Sequence, residues 1–356
     1  MKATGPAFER WLVPALYGAQ AHRAARLLNR GKAVIAMYHG FTAADAHDGI
    51  ANHEGKHCHQ RTFVDHLAFL QKYHNVVALD DVVRALTTGA PLPDRAAVIT
   101  IDDGYRSIYT VAYPALKQFQ MPASVYLATG FVDDRQFLWT DRVEYAVNHA
   151  RVDHVEVTIG TVAMRLPLGD LQSRMTADKR LRSAIKALPQ DSLEAAVDAV
   201  ENAAGCSVAH AGGDNDLYEP LTWAETAEMV ASGLVSIGSH THGHVILARC
   251  DPERAAREIS VSRRIIEDRL GAPCHRFCYP NGRHGDFNAV TKGLLRGQGF
   301  SSALTTVYGM NSPGTDVFEL RRYNLGKPMM RGELDVRMSG LMDLGSALKG
   351  GSGGNW

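Results

Sequence analysis

The chain has 356 residues, and 38 Lys plus Arg face 38 Asp plus Glu. That length allows one large α/β domain or two smaller ones. The charge balance gives no electrostatic reason to expect nucleic acid or an anionic membrane as partner. Five cysteines, Cys58, Cys206, Cys250, Cys274 and Cys278, show no paired spacing, which argues against a disulfide framework and for a reducing compartment.

Residues 1–32 read as an amphipathic helix, with Trp11, Leu12, Leu16, Tyr17, Ala24, Leu27 and Leu28 on its apolar side and Arg23, Arg26 and Arg30 near its end. Packing on the body of the protein is expected ahead of peripheral membrane association. Pro14, Gln20, His22 and Arg23 interrupt any signal-peptide core, and no stretch nears the roughly 20 apolar residues of a membrane span, so the expected location is cytoplasmic.

An apolar run from Ala33 to Met37 leads into Tyr38-His39-Gly40. The polar segment Thr42–Gln60 carries His47, His53, His57 and His59. It reads as a mobile surface loop, with substrate binding as the alternative. A helix opens at Thr62, a short strand spans Val76–Leu79, and Asp80 is placed to cap a helix through Leu86.

The β-branched run Ala96–Ile101 then reads as a buried strand. It ends on Asp102-Asp103-Gly104-Tyr105, where Gly104 permits a sharp turn. Two adjacent carboxylates repel each other unless a cation or hydrogen-bond donors separate their roles. A helix over Tyr109–Phe119 and a strand over Ala123–Ala128 continue an alternation that implies parallel strands with helical crossovers.

Residues from about 133 to 216 break this alternation and read as a mainly helical insertion. Trp139 opens a helix to about His149, Val155–Val162 and Met164–Leu168 suggest a hairpin, and Lys179–Ala204 reads as helical. Gly205–Asp216 is loop-like.

The alternation resumes with a capping box on Thr222 and Glu225 and an apolar run, Leu234–Gly238. That run leads into Ser239-His240-Thr241-His242-Gly243-His244. Spacing of four places His240 and His244 on one face of a helical turn, with His242 pointing elsewhere. Imidazole is the commonest protein ligand for zinc-like ions, and an Asp with two His leaves coordination positions open, as catalytic metal sites do.

Asp251 is placed to cap a helix running to Leu270, and Gly271 to stop it. A third run ends in Arg276-Phe277-Cys278-Tyr279-Pro280-Asn281-Gly282, where Arg276 needs a carboxylate partner unless it lies on an exposed edge. Cys274 and Cys278 are expected to face one side, as buried thiols rather than a second metal site. Further helix and strand signals cover Phe287–Arg296 and Ser301–Thr305, and the tail Gly350–Gly354 reads as flexible.

The three motifs, together with Tyr38-His39, Leu221-Thr222-Trp223 and Leu320-Arg321-Arg322, resemble the polysaccharide deacetylase family with its NodB-type homology domain. The resemblance covers roughly residues 33–325 and implies a distorted seven-stranded (β/α) barrel. Residues 33–330 are assigned to it, with 331–356 as a C-terminal extension. It implies that Asp102 is the general base, Asp103, His240 and His244 the metal ligands, and Arg276 the residue orienting Asp102. The Tyr105 N–H would be the donor to the reacting carbonyl. No Leu-x-His motif follows Arg322, so the general acid falls to His39, as in an exopolysaccharide-deacetylase-like subgroup; His242, His275 and His284 are its rivals. Tyr279, Pro280, Asn281 and Trp139 are the candidate substrate-binding residues.

The implied activity is metal-dependent removal of an N-acetyl group from an amino-sugar-containing saccharide or glycoconjugate. The cofactor would be a divalent ion, Zn2+ first, with Co2+ or Ni2+ as alternatives. Competing expectations are hydrolysis of another non-peptide C–N bond, as in a small cyclic amide, and a degenerate barrel that only binds carbohydrate.

Overall fold

The computed structural model describes residues 6–210, 217–327, 329 and 332–343. The flexible-tail expectation at Gly350–Gly354, and the end of the Gly205–Asp216 loop, lie outside the described residues.

Eight parallel strands form the main sheet: β1 (Val34–Tyr38), β2 (Asn75–Val76), β3 (Ala96–Ile101), β4 (Ala123–Leu127), β5 (Val235–Ser239), β6 (Arg276–Cys278), β7 (Ser302–Leu304) and β8 (Tyr323–Asn324). Seven follow one another in the order β7-β6-β5-β4-β3-β1-β8, while β2 pairs with the start of β3. Leu320, just before β8, accepts from Thr305 and donates to Ala303 at the end of β7, so the segment 320–324 spans the gap between β7 and β1. The fold is a (β/α) barrel.

Strands β1, β3, β4 and β7 are buried along their whole length, on both faces, which is why such strands read as continuous apolar runs rather than alternating ones. Ile35, Val98, Tyr126, Cys278, Leu304 and Leu320 form one cluster with Leu79, Val82 and Val83 of the helix Leu79–Thr88. Val34, Ala36, Tyr38, Ile99 and Ile101 belong to a larger cluster shared with the surrounding helices.

Several local expectations change. Residues before β1 form two helices, Pro6–Gly18 and Ala21–Leu28, because the chain turns through the left-handed conformation at Gln20 (φ 57°). Both pack against the helix Glu333–Met338. Trp11, Leu27 and Leu28 remain exposed, and no described helix is long and apolar enough to cross a membrane. Asp80 is not the cap of its helix: Ala78 takes that position, and the Asp80 carboxylate binds Arg276. Cys274 and Cys278 do not share a side; Cys274 precedes β6 and joins the outer cluster, whereas Cys278 joins the cluster with Ile35 and Leu304.

Residues 139–204 build a second core of their own. The helices Trp139–His149, Leu171–Lys186 and Leu193–Ala204 and the hairpin His154–Ile159/Val162–Pro167 close around Val143, Val147, Val155, Leu181, Ile185, Val197 and Val200. The long helix read over 179–204 is two helices, broken around Pro189, whose missing N–H cannot continue the ladder. The histidine-rich segment after β1 is pinned to this unit. Asn148 accepts from the Ile50 N–H, Glu144 accepts from the Asn52 N–H, His53 meets Asp178 at 2.8 Å, and Lys56 pairs with Asp141.

Candidate active site

The carboxyl ends of β1, β3 and β5 bring the motif residues to one end of the barrel, where barrels of this kind carry their chemistry. Tyr38 pairs with Ile101, so His39 stands level with Asp102. β4 lies between β3 and β5, and the His240 N–H bonds the Leu127 carbonyl that ends it.

The turn after β3 is tight. Asp103 (φ 77°) and Gly104 (φ 101°) are both left-handed, and a Cβ on Gly104 would lie 2.9 Å from Val132 Cγ2. His240 and His244 do meet, but not on a helical turn: the segment is a loop, with Thr241 (φ 64°) and His244 (φ 52°) left-handed. Left-handed conformations at Asp103, Thr241 and His244 are costly for non-glycine residues and are held only where surrounding structure fixes them.

Asp103 Oδ1 lies 3.4 Å from His240 Nε2 and 3.4 Å from His244 Nε2. It is buried and has no hydrogen-bond partner. Separations of 3.4 Å from the carboxylate oxygen to each imidazole nitrogen match the edges of a tetrahedron with bonds of about 2.0–2.1 Å, the zinc values for His N and carboxylate O. The His240 Nδ1–H donates to the Cys278 carbonyl at 2.7 Å, which leaves the Nε2 lone pair facing Asp103. Burial works against the Asp103 carboxylate, but the two imidazoles hold it ionised, well below its ordinary range. These residues fit a divalent cation.

A second convergence, Asp102 with His240 and Cys278, fits one less well. Both Asp102 oxygens are taken by Arg322, and burial pushes the Cys278 thiol up, away from the thiolate a metal requires.

Asp102 is only 1% exposed. Arg322 Nη1 donates to its Oδ1 at 2.8 Å and Nη2 to its Oδ2 at 2.7 Å. The remaining Arg322 donors reach the Thr305 carbonyl, Thr100 Oγ1 and Cys278 Sγ. Burial opposes the Asp102 charge; Arg322 more than offsets it and holds the carboxyl below its usual range.

Arg276, expected to orient Asp102, is corrected here. It begins β6, at the end of the strand away from the metal loop, and binds Asp80. Cys278, two residues on, is the β6 residue that reaches Asp102.

His39 is half-buried, and burial lowers its proton affinity; Asp103 and Asp102 partly restore it. Among its rivals, His242 lies on Thr129 at 3.0 Å and near Asp134, His275 lies on Asp80, and His284 is exposed.

Tyr105 is fully buried. Its phenol donates to Asp141 Oδ2 at 2.7 Å and accepts from Lys56 Nζ at 3.0 Å, and its ring packs edge-on against His57. Its backbone is held from both sides, by Arg106 N–H on the Glu219 carbonyl and Leu221 N–H on the Gly104 carbonyl.

The four candidate substrate contacts separate. Tyr279, 1% exposed, is a core residue: its ring stacks on Phe287 and meets Phe277 edge-on. Pro280 is buried as well. Asn281, left-handed at φ 62°, is bound to Lys186 and Asp286. Trp139 alone of the four lines an open cleft. Lys56 and Asp141 were not legible as site residues, since a single Lys in a polar loop and a single Asp in a helix carry no motif.

A family model described as polysaccharide deacetylase matches residues 89–300, and the chain belongs to that family. A curated relative, the poly-β-1,6-N-acetyl-D-glucosamine N-deacetylase of Escherichia coli K12, is 39% identical over 70 residues, 19% of this chain and 10% of that relative. Among solved structures, IcaB from Ammonifex degensii matches with a TM-score of 0.52 at 19% identity, covering 83% of this chain and 91% of that one. The deacetylase PplD of Streptococcus pyogenes matches at 0.53 and 17% identity, covering 88% and 97%. At such identities these two share the fold with this chain.

Proposed function

We propose that this chain is a metal-dependent N-deacetylase of an N-acetylated saccharide. The observation that carries the reading is the convergence of Asp103, His240 and His244 beside the buried Asp102–Arg322 pair. The curated relative's name points to an N-acetylglucosamine-containing saccharide as the substrate class.

Asp103, His240 and His244 would hold the divalent ion, Zn2+ in first place. When bound, the ion supplies Lewis acidity toward water and the amide oxygen. Asp102, kept ionised by Arg322, is the proton acceptor for the attacking water. Its low proton affinity makes it a weak base, so it would rely on the acidity that a bound ion would lend that water. The Tyr105 N–H, fixed by the phenol's bonds to Asp141 and Lys56, donates to the oxygen that gains charge. His39, whose proton affinity burial lowers and the charges of Asp103 and Asp102 partly restore, takes over the proton that Asp102 removes from water and delivers it to the departing amine.

Acetate release from a panel of N-acetylated saccharides, with chelator-treated protein as control, tests the reading. Acetate production that stops on metal removal and returns with Zn2+ is the expected result. A metal-independent release would overturn it.

A further inference from the structure

Three cations, Lys186, Arg249 and Arg283, gather at the end of the barrel that carries the metal triad. None of them has a carboxylate ion-pair partner among the described residues. Lys186 ends the helix Leu171–Lys186, and its ammonium is bound to Asn281 Oδ1. Arg249 donates to the Lys186 carbonyl. Arg283 is exposed, and its side chain makes no hydrogen bond among the described residues.

The segments that carry them are tied together. The buried Asp286 carboxylate accepts from Asn281 Nδ2 and from the Arg283 N–H, and the Asp286 carbonyl accepts from the Ala248 N–H. Asn281 follows Cys278, which reaches Asp102, by three residues. Arg249 follows His244 by five. At no more than about 3.6 Å per residue, these spans are at most about 11 and 18 Å. The cluster therefore borders the metal site.

Part of it is structural. An arginine on the last carbonyl of a helix satisfies an orphan acceptor and suits the dipole there. That contact uses one of the five N–H groups of Arg249 and does not explain Lys186 and Arg283 beside it. Lys56 gives the contrast: burial works against its charge, but Asp141 more than offsets it and raises its proton affinity. For Lys186, burial and then Arg283 lower the proton affinity to about 8. Asp286 and Glu54 offset only part of this, and Arg249 adds to it. A multiply charged anion relieves such repulsion, and guanidinium groups bind phosphate oxygens in pairs.

We propose that Lys186, Arg249 and Arg283 form a phosphate-binding site at the rim of the active site. Its ligand is inorganic phosphate or a phosphate ester carried by the saccharide, and the second source rests on the deacetylase reading above.

Inorganic phosphate alone is the first probe, titrated calorimetrically into Zn2+-saturated protein at pH 7.5. Arg283→Gln removes a side chain that holds nothing else in the fold. Lys186→Gln removes the ammonium and keeps a polar partner for Asn281. Each should weaken phosphate binding about 10-fold or more, the worth of a hydrogen bond to a charged group, with metal content unchanged. No binding by wild-type protein would overturn the site. Unchanged affinity in both variants would overturn it too, by placing the phosphate on the metal.

Acetate release from N-acetylglucosamine 1-phosphate and from N-acetylglucosamine separates the two sources. A kcat/KM preference for the phosphorylated sugar that Arg283→Gln abolishes assigns the site to substrate. No preference, with phosphate binding weakened in the variants, assigns it to free phosphate. Acetate from neither sugar counts against the deacetylase reading for these substrates and leaves the calorimetric result to decide the site.

Discussion

Arg322 and Asp102 meet through two parallel hydrogen bonds of 2.8 and 2.7 Å, with side chains 0% and 2% exposed, although 220 residues separate them in the chain. A buried carboxylate left without its partner is costly, so this pair joins stability and activity at one point.

Arg322→Ala should therefore destabilise the fold by about 3–5 kcal/mol, the usual loss on breaking a buried pair, and abolish turnover. Arg276→Ala removes a contact to Asp80, whose side chain is 44% exposed. It should cost about 1 kcal/mol or less and leave kcat within about 2-fold. Urea denaturation and acetate release on the two variants check this contrast. A larger catalytic loss at Arg276 would return the orienting role to it.

Asp103→Asn and His244→Ala should lose metal, measured by elemental analysis, whereas Asp102→Asn should retain it. For Asp102→Asn, kcat should fall by about 10²-fold or more, the scale of general-base catalysis. Zn2+ added at about 100 times its Kd should raise the stability of the native chain by about 2.7 kcal/mol, and leave Asp103→Asn unmoved.

His39→Ala should keep its metal and lose amide cleavage. An activated acetate ester, whose leaving group needs no proton, should be much less affected. Equal loss on both substrates would make His39 a structural residue.

Burial pushes His66 and His74 down from 6.5 to about 4. The unfolded chain therefore takes up these protons first as the pH falls. Their stabilising contribution is intact above about pH 6.5 and is lost progressively toward pH 4, at up to about 1.4 kcal/mol per pH unit for each. Urea midpoints of chelator-treated protein at pH 7.5 and pH 5 should differ accordingly. His74→Asn should shrink the difference by about 2 kcal/mol. An unchanged difference would mean that His74 stays accessible to protons in the folded chain.

The sequence by itself determined the barrel and the motifs that carry chemistry. Strands buried on both faces show as unbroken apolar runs, and Asp102-Asp103-Gly104 and His240-Thr241-His242-Gly243-His244 each hold their donors within a few consecutive residues. Only the tertiary structure decided what meets them. Arg276 and the adjacent Arg321 and Arg322 are all cations near apolar strands, and nothing local says which of them faces the aspartates. Closure of the barrel by the segment 320–324 sets Arg322 beside Asp102, while the start of β6 carries Arg276 away to Asp80. Tyr279 turns into the core, against Phe277 and Phe287, rather than toward substrate, and β6 before it is only three residues long, too short for alternation to be read. Lys56, Asp141 and Tyr105 converge because the insertion folds on its own core against the loop after β1, and pairings across such distances leave no periodic trace in the chain.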